Sequence, residues 1–343
     1  MKQVTGRLDP LPTDYVETLN FVLSQGPQVQ ALVASLRDAG MDRVYLVGAG
    51  GSLANMYPLS FLLNQHATSF ASQLLTSAEF VISKPAALGP RSLVVVVSHK
   101  GETPETVEAA GLASARGARV VALTRMPDSR LGAAADVVFT THSERTITEA
   151  KLLLLHQLGL SLLARFGQCN DYAGAMAALA ALPPALHRVK QETEAENAET
   201  AARLKDEPLI YTLSAGPNYG VGYALAMCAL QEQQWIHAAA VNAAEFFHGA
   251  FEIVEEGTPL IVLLGEDVSR PIAERALRFA QRYSRKVVAI DTKDKALPGI
   301  ADPYRGLVSP LVLSAMTTRL LAHFAAVRGH SVQVRRYMFK VEY

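Results

Sequence analysis

Four residues that could bind a ligand or take part in catalysis stand just after an unbroken apolar run, Leu93 to Val97. They are Ser98, His99, Lys100 and Thr103. A continuous run of β-branched residues is typical of a strand buried on both faces. The loop that leaves such a strand directs its backbone N–H groups toward the N-terminus of the next helix, where an anion is stabilised. Hydroxyls, an ammonium group and backbone N–H groups are the donors that bind a phosphate group. The four residues therefore predict a phosphate-binding loop.

A plain helix cap is the alternative interpretation of this loop, since serine or threonine before a helix is common without any ligand. Lys100 favours the phosphate, because a cation at a helix start opposes the helix dipole unless an anion compensates for it. The loop matches neither the P-loop spacing nor G-x-G-x-x-G, so a nucleotide is not expected. A single phosphate on a small molecule fits the sequence better.

A second polar loop, Gly50, Gly51 and Ser52, follows the predicted strand Arg43 to Val47. Glycine lets a backbone approach a ligand closely. A tight turn between a strand and a helix would use the same glycines without a ligand, so both interpretations stay open at this point.

Three further residues could act as catalysts, although each also has an ordinary structural explanation. Glu232 lies in an otherwise apolar and amide-rich run, and a solvated carboxylate at a helix end would look the same. His248 is a lone histidine, which is more often structural than catalytic. Lys340 stands three residues from the end of the sequence, where a surface lysine is common.

Composition restricts the classes of partner. The chain has 343 residues, of which half are hydrophobic and 19% charged, and its formal net charge is zero. No run of lysine and arginine is long enough to follow a nucleic acid backbone, so nucleic acid and anionic membrane are not expected partners. The first twenty residues have no apolar core, so no signal peptide is expected, and no apolar stretch approaches the roughly 20 residues of a bilayer span.

Cysteine and histidine usage points to a reducing compartment and to no metal. Cys169 and Cys228 cannot form a disulfide framework, so the cytoplasm is the simplest location. The nine histidines include no pair at i and i+4, and the sequence predicts neither a metal nor another cofactor.

Alternation of apolar runs with helical sequence predicts an α/β fold with parallel sheets and helices on both faces. A helical segment is expected over about 12–39, and a solvated connecting helix over about 170–205. The predicted strands are 43–47, 69–75, 93–97, 119–123 and 137–139 in the first half, and 209–213, 260–264, 286–291 and 307–309 in the second.

The two halves predict duplicated, doubly wound domains. The offset between two strand starts is 93 − 43 = 50 in the first half and 260 − 209 = 51 in the second, with a glycine-bearing loop after the first strand each time. The expected divisions are a helical segment (1–42), a first domain (43–185), a second domain (186–330) and a C-terminal tail (331–343).

The chain resembles the SIS (sugar isomerase) domain proteins at three blocks, VYLVGAGGS, VVVVSHKGET and QEQQWIHAAAVNAAEFFHG. It is similar to the isomerase half of glucosamine-6-phosphate synthase. It is more similar to the deglycases of phosphorylated fructose–amino acid conjugates, which share the QWIH block, the EFFHG box and a chain end close to RRYMFKVEY. The resemblance covers nearly the whole chain and implies two tandem flavodoxin-like SIS domains with a tail that closes over the site.

The resemblance also implies roles for individual residues. Glu232 falls on the glutamate that moves a proton between C1 and C2 of an open-chain sugar. His248, sixteen residues later, falls on the ring-opening histidine, which comes from a neighbouring subunit and so implies a homodimer with a shared site. Lys340 matches a lysine that closes over the sugar, while Gly51 and Ser52 become sugar contacts.

The implied activity is cleavage of a 6-phosphorylated fructosamine to glucose 6-phosphate and a free amino acid. One alternative is an isomerase that forms an amino sugar, but Leu225 and Ala229 stand where the synthase presents an acid and a lysine. The other alternative is a non-catalytic regulator that binds a sugar phosphate. Ala244 and Ala250 replace the glycine and proline that relatives often have beside His248. His237 is expected to be structural.

Overall fold

The computed structural model of the chain describes residues 6–338 and 340–342. The chain divides into two compact units. The first unit comprises residues 12–183 and 299–304, and the second comprises the described residues of 1–11, 184–298 and 305–343.

The first unit is built on a five-stranded parallel sheet in the order β2-β1-β3-β4-β5. Its strands are β1 (Arg43–Gly48), β2 (Ala71–Thr76), β3 (Ser92–Val97), β4 (Arg119–Thr124) and β5 (Val137–Thr140). The strand order reverses between β1 and β3, and ligands of such sheets bind beyond the carboxyl ends of the strands at this point. All six residues of β3 are buried, as its apolar run predicts.

Helices cover both faces of this sheet. Those of the first unit are α1 (Tyr15–Ser24), α2 (Gly26–Asp38), α3 (Gly50–Ala54), α4 (Tyr57–His66), α5 (Ser77–Ser83), α6 (Pro104–Ala115), α7 (Arg130–Ala133) and α8 (Thr148–Arg165). Helix α6 lays its alanines against the valines of β3, in a core that includes Val94, Val96, Ala109 and Ala113. Every residue of α8 from Glu149 to Leu163 is buried.

The second unit contains a four-stranded parallel sheet in the order β7-β6-β8-β9. Its strands are β6 (Leu209–Ser214), β7 (His237–Asn242), β8 (Leu260–Leu264) and β9 (Val287–Asp291). Its helices are α10 (Glu194–Leu204), α11 (Tyr219–Tyr223), α12 (Glu232–Gln234), α13 (Arg270–Tyr283) and most of α14 (Asp302–Arg328), while α9 (Tyr172–Glu192) belongs partly to each unit. The α/β fold with parallel sheets is confirmed.

Two predictions about the second half are wrong. Residues 307–309, expected to be a strand, lie inside the 27-residue helix α14, because the apolar Leu307 and Val308 are part of a longer apolar helix. The segment 170–205 is not a solvated connector, since α9 and α10 bury Leu179, Leu186 and Leu204 completely.

Helix α14 is also, within residues 6–338, the one helix long and apolar enough to cross a membrane. The same length and composition are found in core helices, and 67% of the most apolar window of α14 is buried in the structure. Two of its buried polar side chains, Arg319 and His323, both contact Glu194, in the same unit.

Candidate active site

The predicted phosphate loop joins β3 to α6, and its two hydroxyls bond to each other. Ser98 is buried, and its Oγ lies 2.9 Å from Oγ1 of Thr103. Thr103 occupies the N-cap position of α6, but its side chain makes no capping hydrogen bond. The simple helix-cap interpretation therefore does not fit, because the hydroxyl that would cap the helix is turned to the loop instead.

Gly101 fixes the shape of this loop. Its backbone has φ +70, and a Cβ added there would lie 1.9 Å from Oγ of Ser129. The Gly101 carbonyl accepts a hydrogen bond of 3.0 Å from the Leu131 N–H. Since only glycine fits this conformation and this space, the loop is packed tightly against the start of α7.

His99 lies in a strongly positive environment. Burial, followed by the nearby cations Lys151, Arg125 and Lys100, lowers its pKa to about 4. The imidazole is therefore neutral at physiological pH. Its Nδ1 is buried and has no hydrogen-bond partner in the part of the chain that the structure describes. The same cations that keep the proton off His99 would attract a phosphate group.

The loop after β1 shares one of these cations. Gly50 begins α3 with φ +53, which explains the need for glycine in the turn, and the exposed Gly51 follows it. The hydroxyl of Ser52 accepts a hydrogen bond of 3.3 Å from Nζ of Lys151. The two loops leave neighbouring strands at the same edge of the sheet, and Lys151 acts on both.

Lys151 was not predicted from the sequence. It lies in α8 and is only 3% exposed, so it is a buried cation beside the predicted site. The available signal is its position immediately before the run LLLL, since a lysine within an apolar helix is seldom buried without a polar role.

Glu232 follows a rare local structure. Residues Ala224–Gln231 form a π-helix, and Glu232 begins the short helix α12 (Glu232–Gln234), which Trp235 follows with φ +55. π-Helical segments occur frequently at functional sites. Nothing in the sequence pattern predicts this π-helix.

The Glu232 carboxylate is half-buried and paired. Burial raises its pKa, while the charge and hydrogen bond of Arg335 act in the opposite direction. Nη2 of Arg335 lies 2.7 Å from Oε1 of Glu232, and the Glu232 side chain is 26% exposed. Arg335 belongs to the predicted C-terminal tail but is not among the site residues predicted from the sequence.

His248 lies at the end of a short 3₁₀ turn, Phe246–His248, and is exposed. The turn rests on an aromatic cluster in which Phe246 and Phe247 both contact Phe279. The His248 ring makes no hydrogen bond within the described part of the chain.

Lys340 is exposed, and its backbone N–H donates to the Tyr337 carbonyl at 2.8 Å. Glu232, His248 and Lys340 all belong to the second unit, whereas the loops at Ser52 and Ser98 belong to the first. His237, expected to be structural, is the exposed first residue of β7.

Comparisons with known proteins identify the family of the chain. Residues 35–162 match the SIS domain family. The chain is 37% identical to the fructosamine deglycase FrlB of Bacillus subtilis, over 92% of this chain and 97% of that protein. It is 29% identical to the fructoselysine 6-phosphate deglycase of Escherichia coli, over 96% of this chain and 97% of that protein.

Solved structures show the same fold. A Bacillus subtilis protein, described as a candidate phosphosugar isomerase, superimposes with a TM-score of 0.87 and 35% identity, over 95% of this chain and 99% of that chain. The C-terminal domain of a Francisella tularensis glucosamine-fructose-6-phosphate aminotransferase superimposes with a TM-score of 0.79 and 16% identity, over 93% of this chain and 95% of that chain. At that identity the second likeness shows the fold alone.

Proposed function

Since this chain belongs to the SIS domain family, we propose that it is an enzyme that cleaves a 6-phosphorylated fructosamine to glucose 6-phosphate and a free amino acid. The observation that carries the proposal is the environment of the Glu232 carboxylate. Glu232 is a half-buried carboxylate with a raised pKa, in a chain 37% identical to a fructosamine deglycase. A raised pKa makes a carboxylate a stronger base, as removal of a proton from carbon requires.

The loop around Ser98 binds the phosphate of the substrate in this proposal. The hydroxyls of Ser98 and Thr103, the backbone N–H groups and the Lys100 ammonium supply the donors. Gly50, Gly51 and Ser52 contact the sugar, with Lys151 adding charge beside Ser52. Neutral His99 contributes a hydrogen bond rather than a charge.

The reaction needs one base and one ring-opening group. His248 takes and returns the anomeric hydroxyl proton, which opens the sugar ring. Glu232 removes a proton from C1 and leaves an enaminol, then returns the proton to C2. The C1=N bond of the resulting imine is hydrolysed by water, which releases the amine and glucose 6-phosphate. Lys340 closes over the bound sugar.

Two further parts of the proposal concern the setting. His248 is exposed and makes no hydrogen bond within residues 6–338 and 340–342, which suits a residue that completes the site of a partner subunit in a homodimer. The substrate is a small phosphorylated metabolite, so we place the enzyme in the cytoplasm, with no nucleic acid or membrane partner.

The amino-sugar-forming alternative is less well supported. Leu225 and Ala229 of the π-helix are buried at 2% and 7% exposure, where the synthase presents an acid and a lysine. Buried apolar side chains at these positions cannot assist transfer of ammonia.

The test is a panel of phosphorylated fructose–amino acid conjugates, with glucose 6-phosphate measured through a coupled dehydrogenase. We expect at least one conjugate to be cleaved. In Glu232→Gln we expect turnover to fall by about 10²- to 10⁴-fold, the usual contribution of a general base, with phosphosugar binding retained. Glu255→Gln makes the same chemical change at an exposed carboxylate of the same unit and should leave turnover unchanged.

Three results would contradict the proposal. Unchanged turnover in Glu232→Gln removes the base assignment. Failure of every conjugate, together with formation of glucosamine 6-phosphate from fructose 6-phosphate and an amine donor, favours the amino-sugar isomerase. Phosphosugar binding without turnover of any substrate favours the regulator.

A further inference from the structure

Arg335 is held in a fixed orientation by its own segment of the tail. Its Nη1 donates to the carbonyls of Val332 at 2.6 Å and Val334 at 3.0 Å. These bonds direct the other end of the guanidinium, Nη2, to Oε1 of Glu232 at 2.7 Å. The Arg335 side chain is 19% exposed, so this ion pair is much better shielded from water than a surface pair.

Contacts with the residues that follow Glu232 hold the same segment of the tail in place. Arg336 lies over the ring of Trp235 at 4.4 Å, and the His330 ring meets Trp235 edge-on at 4.5 Å. Nε2 of Gln234 donates to the His330 carbonyl at 3.0 Å. The chain on both sides of Arg335 is therefore attached to the residues that follow Glu232.

Only one carboxylate oxygen is used in this arrangement. Oε1 of Glu232 faces Arg335, and within residues 6–338 Oε2 accepts no hydrogen bond. An oxygen without a partner, on a carboxylate whose other oxygen is held in place, is available to accept a proton from substrate.

We propose that Arg335 is a positioning residue for Glu232, which from the C-terminal segment keeps the carboxylate ionised and leaves Oε2 directed to the substrate. This inference rests on the proposed role of Glu232 as the base. The tail would then have two roles. Lys340 closes over the bound sugar, and Arg335 sets the charge state of the base.

The direction of the effect follows from the charges around Glu232. Burial favours the protonated acid, and Arg335 is the cation that contacts the carboxylate and opposes this. The other cationic groups nearby face different atoms, since Arg336 and His330 contact the Trp235 ring and Arg328 donates to the Gln234 carbonyl. Without Arg335 the pKa of Glu232 rises, so the base becomes protonated at a higher pH.

The first test is the pH profile of kcat/KM for a cleaved conjugate. In Arg335→Gln we expect the acid limb to move to higher pH by about one unit or more, as for loss of an adjacent opposite charge. Arg335→Lys keeps the charge and should restore part of the shift. The matched control, Arg336→Gln, removes a neighbouring arginine that contacts Trp235 and should leave the acid limb in place. An acid limb that is the same in Arg335→Gln and wild type overturns the proposal.

The second test needs no activity. Trp235 is the only tryptophan, so its emission monitors this contact during a pH titration of the enzyme alone. The step caused by Glu232 is identified by its loss in Glu232→Gln, while any step from His330 remains in both proteins. We expect the Glu232 step to move to higher pH in Arg335→Gln.

The two tests separate the two proposals. A fluorescence step that moves in a protein that cleaves no conjugate supports the positioning role and contradicts the proposed function. Cleavage of a conjugate with a stationary acid limb and a stationary fluorescence step retains the function and overturns the role of Arg335. Absence of any Glu232-dependent step in the wild-type titration also overturns it.

Discussion

The hydroxyls of Ser98 and Thr103 are arranged in a way that would suit the binding of an anion. Each can donate one hydrogen bond, and the 2.9 Å contact between them uses only one of the two protons. The remaining proton is available to a phosphate. The nearby Lys100, Arg125 and Lys151 add a positive potential around the loop.

Replacement of Thr103 by valine should weaken phosphosugar binding and leave the fold intact. A hydrogen bond to a charged group contributes about 1.5–3 kcal/mol, so we expect the Kd for glucose 6-phosphate to rise at least tenfold. Isothermal titration calorimetry measures this directly. Thr103→Ser keeps the hydroxyl and should bind almost as wild type. Ser114→Ala removes an exposed hydroxyl from the far end of α6 and serves as the control. Equal affinity of Thr103→Val and wild type would show that the loop does not bind phosphate.

Residues of this site differ in how far the sequence alone identifies them. Ser98 and Thr103 stand in one short segment beside a recognisable strand and helix, so local pattern is sufficient. The roles of Arg335 and Lys151 depend on contacts with Glu232 and Ser52, which are distant in the sequence. Such contacts exist only after folding, and the composition of a basic tail or of a leucine-rich helix does not say which cation forms them.

At the scale of elements, Gly101 joins the predicted phosphate loop to α7. Its φ of +70 is costly for any residue with a Cβ, at about 1–2 kcal/mol, and the added carbon would collide with Oγ of Ser129. The loop would have to move away from α7 to relieve the collision. Gly101→Ala should therefore lower the Tm by several degrees and also weaken glucose 6-phosphate binding.

Gly111→Ala is the matched control for this change. Gly111 lies on the exposed face of α6, where a Cβ meets nothing within 4 Å. Alanine there should stabilise the helix by about 0.5–1 kcal/mol and leave binding unchanged. Calorimetry gives the Tm of each variant, and binding isotherms give its affinity for glucose 6-phosphate. A Gly101→Ala protein as stable as Gly111→Ala would contradict this account.

Helices and strands could be predicted from the sequence where the whole segment lies in one environment, such as the buried core. Strand β3 is buried along its full length, so its apolar run is unbroken and its bounds are recovered within one residue. Strand β7 was missed because HAAAVN has weak strand propensity, and its position is set by pairing with β6. Residues 307–309 were misassigned because a short apolar run fits a strand and a buried helix equally well. The π-helix before Glu232 has no periodic pattern that differs from that of an α-helix.

At the scale of the whole molecule, the two sheets share a strand order but not a phosphate loop. The segment after β8, which corresponds in order to the loop after β3, carries Glu266 and Asp267. Glu266 pairs with Arg305 at 2.7 Å, and Asp267 accepts hydrogen bonds from Asn218 and Ser269. Carboxylates in these positions would repel a phosphate, so the predicted anion site lies at the sheet of the first unit.

The division of tasks within a homodimer can be tested by mixing two inactive variants. If Glu232 and His248 of one active site come from different subunits, a mixed dimer of Glu232→Gln and His248→Asn has one site with both changes and one with neither. Random pairing makes half of the dimers mixed, so the preparation should recover about a quarter of wild-type activity. Differently tagged subunits, co-expressed and purified through both tags, would yield mixed dimers with about half of wild-type activity. The same purification applied to two tagged copies of Glu232→Gln is the control and should stay inactive. If both residues instead act within one chain, every site of the mixed dimer carries one defect, and its activity would not exceed that of the parent variants.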